Sequence, residues 1–193
     1  SGTNWVRFVV NDGSSGRGYT EALHVSKDGS VWFRDVEASN SSRDSTVCRH
    51  DGQGLENLAA WEGQSPSGTR AIHETSEGIL WFGHAYGGVT RYNPRSHSFV
   101  RFGEDQTRMS AAVIQIAGHL DGSIWFATQN GLYRYDEHTF VNFGKADGLP
   151  GEFVLTSAVA RDGSVWFAAG VGSGITQFPT FTSRIQPSLR KDG

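Results

Sequence analysis

DGSVWF at residues 28–33 returns three times along the chain, as EGILWF at 77–82, DGSIWF at 121–126 and DGSVWF at 162–167. The tryptophans of these four copies are about 40 to 50 residues apart. A period of that length is typical of repeat architectures, in which each repeat is one supersecondary unit that stacks on the next. The organisation of the chain is therefore best understood one repeat at a time.

One repeat predicts four short strands. The clearest copy begins with VIQIAG (113–118), which is apolar and rich in β-branched residues. The Asp-Gly pair that follows favours a hairpin, because glycine tolerates a positive φ. SIWFAT (123–128), GLYRYD (131–136) and FVNFG (140–144) then supply three further strand-like segments. A meander of four strands per repeat is typical of a β-propeller blade.

We therefore predict an all-β fold, a β-propeller built of four-stranded antiparallel blades, with about four blades in a single domain over residues 1–193. The blades are predicted at residues 19–61, 70–102, 111–143 and 153–185, and the fourth strand of the first blade is placed at LAAW (58–61). The large aromatic residues of each phrase are expected in the core, because a blade packs against neighbours on both of its faces.

Residues 5–10 predict an additional outer strand, since WVRF (5–8) matches FVNF (140–143). Three interpretations remain open. This strand completes the last blade and closes a four-blade ring, or two copies share an eight-blade ring, or the chain is part of a longer propeller. An open stack leaves two apolar blade faces in water, which favours association between copies.

Composition narrows the classes of partner. The formal net charge is −3 and charged residues make up 19% of the chain, with no basic patch of the kind that binds nucleic acid. No apolar run approaches the roughly 20 residues of a membrane helix, so no membrane contact by this segment is predicted. No cofactor is predicted, and the single cysteine excludes an internal disulfide.

The run from residue 121 to residue 178 resembles the two-component regulator propeller repeat. The matching features are the D-G-x-x-W-F phrase, the strand NGLYRYD (130–136) and the DGLP linker (147–150). The resemblance implies a non-enzymatic sensor domain, periplasmic or extracellular, of bacterial proteins that are often hybrid histidine kinases, some of which report saccharides. A virginiamycin-B-lyase-like propeller is a neighbouring resemblance, but its catalytic histidine and acidic metal partners cannot be placed on matching positions.

A binding site is expected on the face that carries the second-to-third and fourth-to-first loops, because variable loops on a rigid scaffold usually hold the ligand. Polar groups beside an aromatic ring suit sugar hydroxyls or a small anion. The candidate ligand-binding residues, each just after its blade's W-F pair, are Arg34, Asp35, His84, Tyr86, Gln129 and Asn130.

Two histidines, His24 and His73, share one repeat position, four residues before Asp28 and Glu77 respectively. Both are expected in the innermost strand, lining the central channel. Zinc usually takes three or four ligands, and Glu74 is expected to point to the opposite face from His73, so no metal site is predicted. A hydrogen-bonded structural pair of histidines is favoured instead.

The sequence is therefore consistent with three functions. The first is a sensor or scaffold domain that binds a small polar ligand or saccharide. The second is a protein-interaction or self-assembly module without a small ligand, for which a homodimer sharing one ring is the expected partner arrangement. The third is an enzyme of the lyase type.

Overall fold

The computed structural model of the chain describes residues 19–36, 46–58, 68–170 and 174–178. These residues form four consecutive antiparallel sheets, each with its strands in sequence order, so each sheet is a meander. The prediction of an all-β propeller of four blades is confirmed. Among the described residues the first three sheets have four strands and the last has three.

The elements follow one another along the chain without crossovers. Blade 1 contains β1 (Tyr19–Val25), β2 (Val31–Val36), β3 (Thr46–His50) and β4 (Leu55–Asn57). Blade 2 contains β5 (Thr69–Glu74), β6 (Leu80–His84), β7 (Val89–Asn93) and β8 (Ser98–Phe102). Blade 3 contains β9 (Val113–Gly118), β10 (Ile124–Thr128), β11 (Gly131–Tyr135) and β12 (Phe140–Phe143), and blade 4 contains β13 (Val154–Val159), β14 (Val165–Ala169) and β15 (Ile175–Phe178). Two single turns of helix lie in the connections, α1 (Glu104–Thr107) and a 3-10 turn at Lys145–Asp147.

The fourth strand of blade 1 lies earlier than the predicted 58–61. It is β4 at Leu55–Asn57, because the preceding turn closes tightly. The Asp51 carboxylate accepts hydrogen bonds from the backbone N–H groups of Gln53 and Gly54, and the chain pairs again at once, with Leu55 opposite His50. Residues 59–61, the additional strand predicted at 5–10 and the last outer strand near 181–185 lie outside the described residues.

The Asp-Gly pairs make the first hairpin of a blade, as predicted. In blade 3 the Asp121 carboxylate accepts a hydrogen bond of 2.9 Å from the backbone N–H of Ser123, and Gly122 has a φ of 86°. In blade 2, where Glu77 replaces the aspartate, the hydroxyl of Thr75 accepts the bond from Ile79 instead. Blade 2 therefore retains the hairpin turn, although its acidic residue has the longer side chain of glutamate.

The tryptophan of each of the first three blades packs on the next blade in the chain. Trp32 lies 5.7 Å from Tyr92, Trp81 lies 5.3 Å from Tyr135, and Trp125 lies 5.8 Å from Phe178, measured between ring centroids. Three buried clusters correspond to these three contacts between blades, which we call seams. The expected core role of the tryptophans is confirmed for these three blades.

Gly83 lets blades 2 and 3 approach closely. A Cβ atom on Gly83 would lie 2.5 Å from Cγ1 and 2.8 Å from Cβ of Val113. We expect Gly83→Ala to reduce the free energy of unfolding by about 1–3 kcal/mol, as overpacking of a seam does. Urea denaturation measures the change. Gly54→Ala is the matched control, because nothing lies within 4 Å of its Cβ position, and an equal loss in both variants would contradict the close approach.

The blades form an open arc in the described part of the chain. The innermost strands pack in series, β1 against β5, β5 against β9, and β9 against β13. Within that part of the chain no comparable packing joins β13 back to β1. A four-blade ring closed within one chain requires that contact, so the described residues do not support that interpretation.

Candidate functional site

A groove opens between blades 2 and 3, on the face of the first-to-second and third-to-fourth turns. Its volume is about 810 Å³. The turn between β5 and β6 forms one wall, the turn between β9 and β10 forms the other, and the ends of β7 and β11 contribute to the floor. The chemically most informative lining residues are His73, Glu77, Trp81, Arg91, His119 and Tyr135.

Arg91 differs from its counterparts in the other blades. Arg49 pairs with Asp28 at 3.2 Å and Arg134 pairs with Asp121 at 3.1 Å, in each case with the acid that begins the repeated phrase of the same blade. The corresponding acid for Arg91 is Glu77, and with the other described residues Arg91 makes neither an ion pair nor a side-chain hydrogen bond. With Glu77 in place of the aspartate, the pairing seen in blades 1 and 3 is not made in blade 2, and the half-buried guanidinium of Arg91 lines the groove.

Aromatic rings lie beside this guanidinium. Trp81 is buried and meets Tyr135 edge to face. The Tyr135 hydroxyl donates a 2.8 Å hydrogen bond to the Glu137 carbonyl. Burial raises the pKa of the Tyr135 phenol, and the positive charge of Arg91 partly offsets that rise. The groove thus combines a cation, an aromatic wall and hydrogen-bonding groups.

The two histidines predicted to line the channel lie on equivalent positions of β1 and β5, opposite Trp32 and Trp81. Their partners differ from the prediction. His24 Nε2 lies 3.3 Å from the carboxylate of Glu74. Glu74 belongs to blade 2, so this contact crosses the first seam. That carboxylate also accepts a hydrogen bond from the backbone N–H of Lys27. The predicted histidine pair is therefore replaced by a histidine–glutamate pair between blades.

His73 makes the corresponding contact with blade 3. A Cβ on Gly118 would lie 2.7 Å from His73 Nε2, so any larger residue there would displace the ring. Burial lowers the pKa of His73, the nearby His24 lowers it further, and the charge of Glu74 opposes both effects. The imidazole therefore lies against blade 3 in its neutral form at pH 7.

His119 links blade 3 to blade 4 at the edge of the groove. Its Nε2 donates a 2.7 Å hydrogen bond to the Gly163 carbonyl, and its Nδ1 lies 2.7 Å from the Asp121 carboxylate. The pKa of Asp121 is well below its usual range, because hydrogen bonds from Ser123 and His119 outweigh the effect of burial. The inner strands and their turns are thus joined by polar contacts at the first and third seams.

The residues predicted to bind ligand on the opposite, loop-rich face fall into two groups. Arg34 and His84 are buried at the first seam, where Arg34 Nη1 donates to the Thr69 carbonyl and Thr69 stands opposite His84 in the sheet. The others lie further out: Asp35 half-buried, and Tyr86, Gln129 and Asn130 exposed. The ligand role of these six residues stays a prediction.

His84 is held neutral inside the protein. Its Nε2 forms a 2.8 Å hydrogen bond with the Thr90 hydroxyl. Burial, with a smaller effect from Arg101, lowers its pKa to about 3. His84 is thus a buried, neutral side chain of the seam between blades 1 and 2 and is not exposed on the loop-rich face.

Within residues 19–36, 46–58, 68–170 and 174–178, no group of three histidine, cysteine, aspartate or glutamate side chains is placed to hold a metal ion. Among the same residues, no helix has the length and apolar character that crossing a bilayer requires.

The groove was not foreseen from the sequence, which directed attention to the variable loops. One signal was present. EGILWF is the only copy of the repeated phrase that begins with glutamate, and the arginine column keeps Arg91 in that blade. The replacement of aspartate by Glu77, in a blade that keeps its third-strand arginine, indicates the blade in which the arginine–acid pair is not made.

Comparison with known proteins finds the same fold in other β-propellers. Neither a protein-family model nor a curated protein matches the chain. Among solved structures, the extracellular domain of BT3049 from B. thetaiotaomicron, assigned to the hybrid two component systems, superposes with a TM-score of 0.65 at 21% identity, over 82% of this chain and 21% of that one. PorZ, a surface component of the type-IX secretion system of Porphyromonas gingivalis, gives a TM-score of 0.65 at 16% identity, over 83% of this chain and 26% of that one.

An enzyme is also among the similar structures. Virginiamycin B lyase from Staphylococcus aureus gives a TM-score of 0.60 at 18% identity, over 85% of this chain and 56% of that one. The chain spans between a fifth and a quarter of the length of the hybrid two-component structures that it matches. At these identities the likeness concerns the fold, and this chain has the fold of the extracellular propeller domains of two-component systems that the repeated phrase resembles.

Proposed function

We propose that this chain is a non-enzymatic, ligand-binding part of a bacterial sensor propeller, located outside the cytoplasm. The ligand is a small saccharide that carries an acidic group, bound in the groove between blades 2 and 3. The family resemblance of the repeats and the extracellular domains among the similar structures support the sensor role and the location.

The observation that carries the ligand class is Arg91. A half-buried guanidinium without a protein carboxylate is a favourable partner for the carboxylate of a ligand, because the two groups form parallel charge-assisted hydrogen bonds. The same arginine position is neutralised by aspartate in blades 1 and 3. At this strand position, blade 2 is the one described blade whose arginine is left available to a ligand.

The rest of the lining suits the hydroxylated part of a sugar. Glu77 and Glu137 are exposed carboxylates that can accept hydrogen bonds from hydroxyl groups, and the Tyr135 ring provides an apolar wall. The volume of about 810 Å³ falls within the range of roughly 300–1,000 Å³ that small-molecule sites occupy. A neutral sugar would use the walls of the groove but not the guanidinium.

The test compares glucuronate with glucose by thermal shift and calorimetric titration. Glucuronate should raise the melting temperature, since a ligand at 100 times its Kd stabilises the folded state by about 2.7 kcal/mol. Glucose should have a smaller effect. Arg91→Gln should abolish the response to glucuronate, and Arg49→Gln, the matched change of a paired arginine, should preserve it.

The outcomes separate the groove from the loops. No response to either sugar would contradict the proposed ligand class. A response that survives Arg91→Gln would place the site elsewhere, with Tyr86 and Gln129 on the loop-rich face as the next residues to change.

The alternative of a self-assembly module is favoured by a separate observation, an uncovered face on blade 4. The alternative of a lyase is supported by the similar fold of virginiamycin B lyase alone.

A further inference from the structure

The last tryptophan of the repeat is exposed in a way that the other three are not. Trp32, Trp81 and Trp125 are buried, but Trp166 is only half-buried. All five residues of β6 and of β10 are buried, whereas buried and half-buried residues alternate along β14. Since side chains alternate between the two faces of a strand, one face of β14 is covered and the other is not.

The uncovered face includes a second large apolar side chain. Ile175 is opposite Ala168, two residues along β14 from Trp166, so both side chains lie on the same face of the sheet. Ile175 is 74% exposed, while the residues at its position in the other blades, Val47, Val89 and Leu132, are all 0% exposed. We call this surface, made of Ala158, Trp166, Ala168 and Ile175, the trailing face of blade 4.

The three seams within the chain show what such a face packs against. In each seam the trailing face of one blade, with its tryptophan, contacts the opposite face of the following blade. That opposite face, which we call the leading face, presents the row Leu80, Tyr92 and Phe99 in blade 2, and the row Ile124, Tyr135 and Phe140 in blade 3. The trailing face of blade 4 therefore fits the leading face of a further blade of this repeat.

Blade 1 has a leading face that is also uncovered. Leu55 stands opposite His50 as Phe99 stands opposite Tyr92, so it occupies the same position in its blade, and it is 40% exposed. Val25 occupies the position of Glu74 and Gly118 and is 61% exposed. Both residues are apolar and both lie on the face of blade 1 that turns away from blade 2.

The two uncovered faces are complementary position by position. His24 of blade 1 meets Glu74 of blade 2, and His73 of blade 2 meets Gly118 of blade 3. In blade 4 the position of His24 and His73 holds the exposed Ala158, which would meet Val25 of a following blade 1. Both positions of this pair are apolar, as they are at the third seam, where Ala117 of blade 3 and Val159 of blade 4 occupy them.

We infer that the trailing face of blade 4 docks against the leading face of blade 1 in a second copy of this chain. Two copies related by a twofold axis make this contact twice and close a ring of eight blades, within the range of about 4–8 blades that propellers use. The contact continues the seams already present within the chain, and it buries Trp166 and Ile175 as their counterparts are buried.

Light scattering of the purified chain tests the inference. The expected mass is twice the chain mass of 21.0 kDa. Ile175→Lys should reduce the mass to that of a single chain, because it places a charge in the docked face. The single chain should still fold, since Ile175 is 74% exposed in it. Leu120→Lys is the matched control, since Leu120 is 72% exposed on a turn of blade 3, and this variant should stay dimeric. Circular dichroism confirms that each variant is folded, and Ala158→Lys serves as a second variant if the first fails to fold.

A mixing experiment tests which face is the partner. Leu55→Lys alone should also be monomeric. An equimolar mixture of Ile175→Lys and Leu55→Lys should form a one-to-one dimer, because the mixture retains one intact seam. A wild-type monomer at the highest soluble concentration, a dimer that survives Ile175→Lys or Leu55→Lys, or larger open assemblies would each overturn the eight-blade ring of two copies.

Discussion

Trp125→Ala is expected to reduce the free energy of unfolding by about 3–5 kcal/mol. Trp125 is 0% exposed and stacks on Phe143 within its blade, with ring centroids 5.6 Å apart. It also contacts Phe178 of blade 4, so its removal opens a cavity in the seam between blades 3 and 4. Urea denaturation followed by circular dichroism measures the loss.

Tyr86→Ala provides the comparison for this variant. Tyr86 is also aromatic but is exposed on a loop, so its removal should change the stability by about 0.5 kcal/mol or less, as surface substitutions do. Equal losses for the two variants would contradict the packing of blades through their tryptophans.

Acid should destabilise the chain through His84 before its carboxylates are protonated. Burial lowers the pKa of His84 to about 3, whereas the same imidazole in the unfolded chain has a pKa near 6.5. Below pH 6.5 the unfolded state therefore binds a proton at this imidazole that the folded state does not bind. As a result, the free energy of unfolding falls by up to about 1.4 kcal/mol per pH unit. Between pH 6.5 and 4.5 the expected loss is about 2–3 kcal/mol, and the lowered pKa of His73 acts in the same direction.

His84→Thr removes this dependence while keeping a residue that the repeat accepts, since Thr128 occupies the same position in blade 3. Unfolding measured from pH 7 to pH 4.5 should show a flatter slope for this variant. His138→Asn, which changes an exposed histidine, should leave the slope unchanged. A wild-type slope in His84→Thr would show that this imidazole is not held neutral in the fold.

The fold was predictable because one signal recurs. The spacing of the D-G-x-x-W-F phrase determines where each blade begins, and the alternation of apolar residues around it gives the strands of blade 3 almost to the residue. The fourth strand of blade 1 was misplaced because LAAW was aligned by its tryptophan. The Asp51–Gly54 turn, which actually sets the strand, is a local feature of that blade.

The candidate site was harder to predict, because it depends on contacts between blades. Arg49, Arg91 and Arg134 share one position of the third strand, but only the distances show that the first and last are paired with acids and that, among the described residues, Arg91 is not. In the same way, Glu74 follows His73 in sequence and yet pairs with His24, fifty residues away, because the curvature of the arc brings the next blade's inner strand alongside. The register within a strand gives the face of a residue but not its partner across a seam.

The arrangement of the seams is tested most directly by hydrogen exchange at the tryptophan indoles, followed by NMR. In the monomeric Ile175→Lys variant, the indole N–H groups of the buried Trp32 and Trp125 should exchange slowly. The indole N–H of Trp166 donates to Ser164 Oγ but belongs to a half-buried side chain, so it should exchange faster than the other two. In the wild-type chain all three should be slow, because the second copy covers Trp166. Rapid exchange at Trp125, at a rate equal to that of Trp166, would contradict the packing of each blade on the next.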